Sequence, residues 1–244
     1  MKCSLVLWLM LGLTSQAGAQ ANASSTQIPT PRPEIIESVC RGGEIASGAA
    51  YDQMVRIKER LGSVLKANTG HHIRVALVTG NVINAWNADL NPSQSLVCIP
   101  ISMVIFMSGA EGELGFIVSH EVGHALDDAC KTASGRTEVA IASQPFSAFV
   151  GGLLGGRYST AVVQQSCEAR ADAIGFALFT AAGYNPFDAA GAFGRLEMYM
   201  GDTSTTLPAR FAAFGKDHPV TPDRIRQMRA MLVRQLMART TGRR

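Results

Sequence analysis

Two histidines four residues apart, with a glutamate beside the first, are the residues of this chain best placed to do chemistry: His120-Glu121-Val122-Gly123-His124. On a helix, positions i and i+4 stand one above the other. Both imidazoles can therefore face one metal ion while Glu121, about 100° further round, reaches alongside it. That arrangement points to hydrolysis by a metal-activated water, with Glu121 as general base. Phe116, Ile117, Val118 and Val122 make the same helix apolar on much of its circumference, and a His-Glu-His group buried among them needs a partner. A catalytic zinc takes three protein ligands and leaves a position for water. Residues 125–131 contain no histidine, so the third ligand must come from elsewhere, with His71, His72, His218, Glu168 and Asp172 as the alternatives. Glu168 is the best of these. It lies four residues before Asp172 on one helix face, so one carboxylate can ligate while the other holds a ligating histidine.

The elements that must position these groups are legible in outline, and together they predict an α+β fold. Ser108 followed by Glu111 reads as a capping box, with the metal helix running from Gly109 to about Cys130. A second helix is expected over 161–182, stopping at Gly183; a third opens at Asn185-Pro186 and a fourth at Thr221-Pro222. Upstream, Ile57, Leu61, Val64 and Leu65 recur at helical spacing within 34–68, as one long or two broken helices, and Gly70 stands where a left-handed cap belongs. Apolar runs at 73–78, 82–86, 96–99 and 101–107, punctuated by Gly80-Asn81 and Asn91-Pro92, predict a small sheet of three or four strands. The run 101–107, directly before the metal helix, is the expected edge for an extended peptide. Residues 132–160, broken by Pro145 and two glycine pairs, read as a loop or short amphipathic insertion whose place between the ligand helices suggests a mobile flap.

Composition narrows the function to a local site. A chain of 244 residues with 47% hydrophobic and 17% charged residues folds as one ordinary domain, and a net charge of +3 excludes a nucleic-acid binder driven by a large basic field. Residues 1–19 have the basic start, short apolar run and small residues of a secretory signal, with an alternative cut after residue 21. An extended leader is expected over 20–33, the folded domain over 34–240 and a basic tail at 241–244. The apolar run is too short to span a bilayer, so export to the periplasm is expected, with secretion as the alternative. Cleavage leaves Cys40, Cys98, Cys130 and Cys167, an even set suited to two disulfides. If Glu168 and Asp172 both reach the histidine helix, the two helices run antiparallel and Cys167 falls on the side of Cys130. The expected pairs are then Cys130–Cys167 and Cys40–Cys98. Residues 221–244 hold seven arginines and one aspartate, with Ile225, Met228, Leu232 and Leu236 at helical spacing. This predicts a packing helix with a solvated basic face, whose other use would be peripheral contact with anionic lipid or an acidic partner.

The HExxH helix followed some forty residues later by Glu168-Ala169-Arg170-Ala171-Asp172 resembles the gluzincin zinc metallopeptidases of the HtpX and CAAX prenyl protease type. Asn84-Ala85-Trp86 is similar to the Asn-Ala-aromatic strand of that family, and His218-Pro219 with Arg224 and Ile225 to its His-Pro…Arg-Ile element. The resemblance implies a zincin-like core in which His120, His124 and Glu168 bind one zinc, Glu121 is the general base and Asp172 orients His120. It also implies that His218 acts at the site as a catalytic group, and that Arg224 lies close enough to contact substrate or transition state. Its integral-membrane members have several spanning helices, whereas this chain resembles a soluble, exported relative. A zinc endopeptidase acting on proteins or peptides of the cell envelope, in protein quality control, is the function implied. A zinc-stabilised, chaperone-like binding protein is the alternative.

Overall fold

The sheet is built on a central strand covered on both faces. In the computed structural model the described residues are 31–68, 72–91, 94–127, 167–201, 218 and 220–241. Strand β1 (His72–Val78) pairs in parallel with β3 (Gln94–Pro100), and β2 (Trp86–Asn91) pairs with the other edge of β3 antiparallel, giving the order β1-β3-β2. Side chains alternate with the period of two that a strand dictates. Val75, Leu77, Val97 and Ile99 face the main core, whereas Ala76, Val78, Leu96 and Cys98 pack with Ile36 and Cys40 of helix α1 (Pro33–Cys40). Beyond Arg41, whose left-handed φ of 54° ends α1, residues 43–45 run along the outer edge of β1. There the Ile45 N–H donates to the Leu77 carbonyl at 2.8 Å and the Thr79 N–H donates to the Gly43 carbonyl at 2.9 Å. The outer edge of β2 has no strand partner among the described residues. Helix α2 (Ala49–Asn68) follows, so the 34–68 region is two helices, and Gly70 lies outside the described residues.

Two expected strands are not strands. Residues 101–107 form helix α3 (Ile101–Phe106) and its C-cap, because the sheet ends first: β1 stops at Val78, opposite Pro100, and β2 begins at Trp86, opposite Cys98. A strand beyond Pro100 would leave its backbone groups unpaired, whereas a helical turn satisfies them internally and still buries Met103 and Val104. Ile105 is left 65% exposed. Residues 82–85 are irregular because their carbonyls are used by side chains: Val82 accepts from Ser102 Oγ, and Ala85 from His218. The strand begins instead at Trp86, the last residue of the expected run, and continues to Asn91.

Helix α4 (Glu111–Leu126) carries the HExxH motif and is shorter at both ends than expected. Its N-cap is Ala110, with no side-chain cap, because Ser108 is taken into the turn that leaves α3. That turn needs Gly109 at φ 77°, a conformation that suits glycine. Almost every residue from Leu114 to Gly123 is buried, as befits a helix apolar all round. Helix α5 (Cys167–Ala181) stops at Gly183 with φ 78°, helix α6 (Pro186–Gly201) is opened by Asn185, whose Oδ1 accepts from the Phe187 N–H, and helix α7 (Pro222–Thr241) follows Thr221. On α7, Arg224, Met228 and Met231 face the core while Val233 and Met237 stay exposed. No described helix is long and apolar enough to cross a membrane.

Cys40 and Cys98 form a disulfide, as expected. Cys167 is disulfide-bonded as well; Cys130, like the expected flap at 132–160, lies outside the described residues. The Cys40–Cys98 bridge joins residues 58 apart, a closure worth about 4 kcal/mol in the chain-entropy model. The double variant Cys40→Ala/Cys98→Ala is expected to lose about 2–4 kcal/mol in denaturant unfolding, and an unchanged midpoint would count against this.

Candidate metal centre

α4 and α5 cross antiparallel at very short range. Gly123 of α4 lies against Ala171, and Gly175 of α5 against Ser119 and His120, so one index rises as the other falls. Small residues permit this approach, because a Cβ at Gly123 would come within 2.5 Å of the Ala171 carbonyl oxygen. The result is convergence. His124 Nε2 lies 3.1 Å from His120 Nε2 and 3.1 Å from Glu168 Oε1, and His120 Nε2 lies 3.4 Å from Glu168 Oε2. A tetrahedral ion with zinc-like bonds of 2.0–2.1 Å separates its ligand atoms by about 3.3 Å, which is the spacing found here. Two imidazole nitrogens and a carboxylate facing one another form a donor set suited to a divalent cation. His218 belongs to the same cluster, and one ligand atom from each of the four residues lies within 4.8 Å of the others.

The surrounding groups orient these donors. His120 Nδ1 lies 2.9 Å from Asp172 Oδ1, which directs Nε2 and its lone pair toward the cluster. Asp172 is held by both Nε and NH2 of Arg224 at 2.7 Å, and NH1 of Arg224 reaches Glu168 Oε2 at 2.9 Å. Arg224, expected near substrate, thus turns its guanidinium onto the two carboxylates and is itself buried. His218 Nε2 stands 3.1 Å from the Ala85 carbonyl, which can only accept. Nε2 therefore carries a proton, and Nδ1 faces Glu168 Oε2, which also only accepts, at 3.2 Å and His120 Nε2 at 3.4 Å. The Asn84-Ala85-Trp86 segment thereby enters the site through its backbone, a role no side-chain pattern announces. Glu121 is 1% exposed and neither carboxylate oxygen has a hydrogen-bond partner among the described residues; His218 Nε2 stands 3.4 Å from Oε1. A recess lined by Phe116, Ile117, Phe193, Leu196 and Val220 opens beside it and His120.

A profile of peptidase family M48 matches residues 53–232, well over half of the chain, and spans every group just described. The chain belongs to peptidase family M48. No curated protein matches it. Membership makes this M48 chain a metallopeptidase in type, and the His120, His124 and Glu168 cluster is where its metal can be held.

Without metal, the cluster sets the pH response of the M48 fold. Burial disfavours the His120 imidazolium, but hydrogen bonding to Asp172 and Glu168 outweighs it and pushes His120 up to about 9. Burial likewise works against the Glu168 and Asp172 carboxylates. It is overcome for Glu168 by the three histidines and for Asp172 by Arg224 and His120, so both are held below the usual carboxylate range. The His120 contribution to stability is complete below its unfolded value of about 6.5 and is lost as pH rises through about 9. The carboxylate contributions are present above about 4.5 and are lost as pH falls through their depressed values. Chelated protein is therefore expected to be most stable near pH 5–6.5 in denaturant titrations. Metal-loaded protein, which needs His120 neutral, is expected to keep its stability to pH 9. Equal alkaline loss in both forms would contradict the assignment.

Proposed function

We propose that this chain is an exported zinc endopeptidase, with His120, His124 and Glu168 as the zinc ligands and Glu121 as general base. The observation that carries the proposal is a buried Glu121 carboxylate, with no hydrogen-bond partner among the described residues, next to three converging donors. Zinc held there would bring the pKa of a bound water toward about 7 and polarise the scissile carbonyl. Glu121 takes the proton of the attacking water and passes it to the leaving amine. Asp172, fixed by Arg224, holds His120 in the ligating tautomer. His218, anchored on the Ala85 carbonyl, turns Nδ1 toward Glu168 and His120 and stands beside the position a zinc ion would take. Strand β2, which begins one residue after Ala85 and lies at the edge of the sheet among the described residues, replaces 101–107 as the ladder onto which an extended peptide adds. The Cys40–Cys98 disulfide and the signal-like residues 1–19 support export to an oxidising compartment such as the periplasm, where misfolded envelope proteins are the substrates in this reading.

A second reading has one observation in its favour. His218 Nδ1 completes a set of four protein donors, and four donors close a structural zinc site. The chain would then be a zinc-stabilised, chaperone-like protein that binds unfolded chains without cutting them. Metal analysis beside a casein cleavage assay separates the two. The proposal expects one zinc per chain, cleavage that stops with chelation, and loss of most of the zinc in Glu168→Ala. Full zinc with no cleavage favours the second reading, and full zinc in Glu168→Ala removes Glu168 as ligand.

A further inference from the structure

Where α4 ends and α5 begins, two buried charges stand at the wrong ends of their helices. Asp127 is the C-cap residue of α4, three residues after His124, where the helix dipole is already negative. Arg170 lies in the first turn of α5, two residues after Glu168, where the dipole is positive. Each charge is unfavourable to its own helix, and side-chain exposures of 9% for Arg170 and 6% for Asp127 add the cost of desolvation. Their bond offsets part of that cost: Arg170 Nε donates to Asp127 Oδ2 at 2.8 Å. The Arg170 NH2 group also reaches Cys167 Sγ at 3.5 Å, so the same side chain grips its own helix end.

We propose that Asp127 and Arg170 are a positioning pair that sets the approach of Glu168 to His124 and thereby the affinity of the site for its metal. The proposal rests on the zinc-site reading above. The reason such a pair is needed lies in how the rest of this helix contact is made. Gly123, Ala171 and Gly175 let the backbones touch, but contacts between small residues have little directionality, so they resist sliding along the helix axis weakly. Glu168 is the second described residue of α5, next to the disulfide-bonded Cys167, and its Oε2 is drawn to Arg224 NH1 at 2.9 Å. A ligand there must nevertheless hold Oε1 3.1 Å from His124 Nε2. A hydrogen-bonded ion pair is directional where the glycine contacts are not. It ties the backbone near one ligand to the backbone near the other, and so fixes the axial register that metal binding requires.

The test uses the full chain loaded with zinc or with cobalt(II), whose visible absorption reports coordination. Asp127→Leu/Arg170→Met removes both charges together and is expected to fold, with its metal-free melting temperature reading any structural cost separately from metal binding. Its zinc affinity, by chelator competition, is expected to fall about 10–100-fold, the effect typical of removing groups that orient ligands. The cobalt spectrum should change with it. Arg170→Lys, which keeps the charge without the directed Nε–H, should show an intermediate loss and decides the matter if the double variant does not fold. Parental zinc affinity and an unchanged cobalt spectrum in the folded variants would overturn the proposal, leaving the pair a purely structural tie. A parent that binds neither metal would overturn the zinc-site reading and this inference together.

Discussion

Replacing Glu121 with Gln is expected to lower peptide hydrolysis by about 10²–10⁴-fold, the range typical of a lost general base, while leaving the metal in place. The two effects separate because Glu121 stands outside the donor cluster of His120, His124, Glu168 and His218. Gln keeps the volume of the side chain but cannot accept the proton of the attacking water. It also removes a buried carboxylate that has no hydrogen-bond partner among the described residues and only His218 Nε2 at 3.4 Å, so stability should change little. Steady-state cleavage rates with metal stoichiometry on the same samples check this. A variant within tenfold of the parent would remove Glu121 from its role, and a variant lacking metal would make it a ligand instead.

The second large effect is expected at the crossing of α4 and α5. A Cβ at Gly175 would stand 2.8 Å from the Ser119 carbonyl oxygen and 2.9 Å from His120 N and Cα, and at Gly123 the obstacle is the Ala171 backbone. All of these are main-chain atoms that cannot rotate aside. Gly175→Ala and Gly123→Ala should therefore each cost about 1–3 kcal/mol through forced separation of the helices. The displacement falls on the metal centre, since His120 and Glu168 belong to the separated elements and stand only 3.4 Å apart. Weakened metal binding should accompany the lost stability. The control is Gly194→Ala on the exposed face of α6, where nothing lies within 4 Å; removing glycine from a helix interior there should stabilise by about 0.5–1 kcal/mol. Unfolding curves and chelator competition on the three variants make the comparison, and equal effects at all three positions would refute it.

Local rules carried much of this protein without tertiary help. The helical spacing of His120, Glu121 and His124, the four-residue spacing of Glu168 and Asp172, the Asn185-Pro186 start and the Gly183 stop each depend on neighbours within a turn or two. Short-range sterics and backbone hydrogen bonding decide such features. Other features depend on partners remote in sequence. Residues 101–106 are helical because the neighbouring strands end where they do, and no property of Ile101 to Phe106 contains that. Ser108 loses its capping role to a chain reversal that needs Gly109. Trp86 to Asn91 becomes a strand because Leu96 to Cys98 offer it an edge. The same holds at the site: the Ala85 carbonyl on His218, the Arg224 guanidinium across Asp172 and Glu168, and Arg170 on Asp127 join segments 43 to 133 residues apart. The amino-acid sequence by itself determined which groups can do the chemistry, because metal chemistry is set by residue type and helical spacing. Only the tertiary structure decided which groups hold them in place, because burying charge and closing backbone hydrogen bonds are settled by whatever the fold brings alongside.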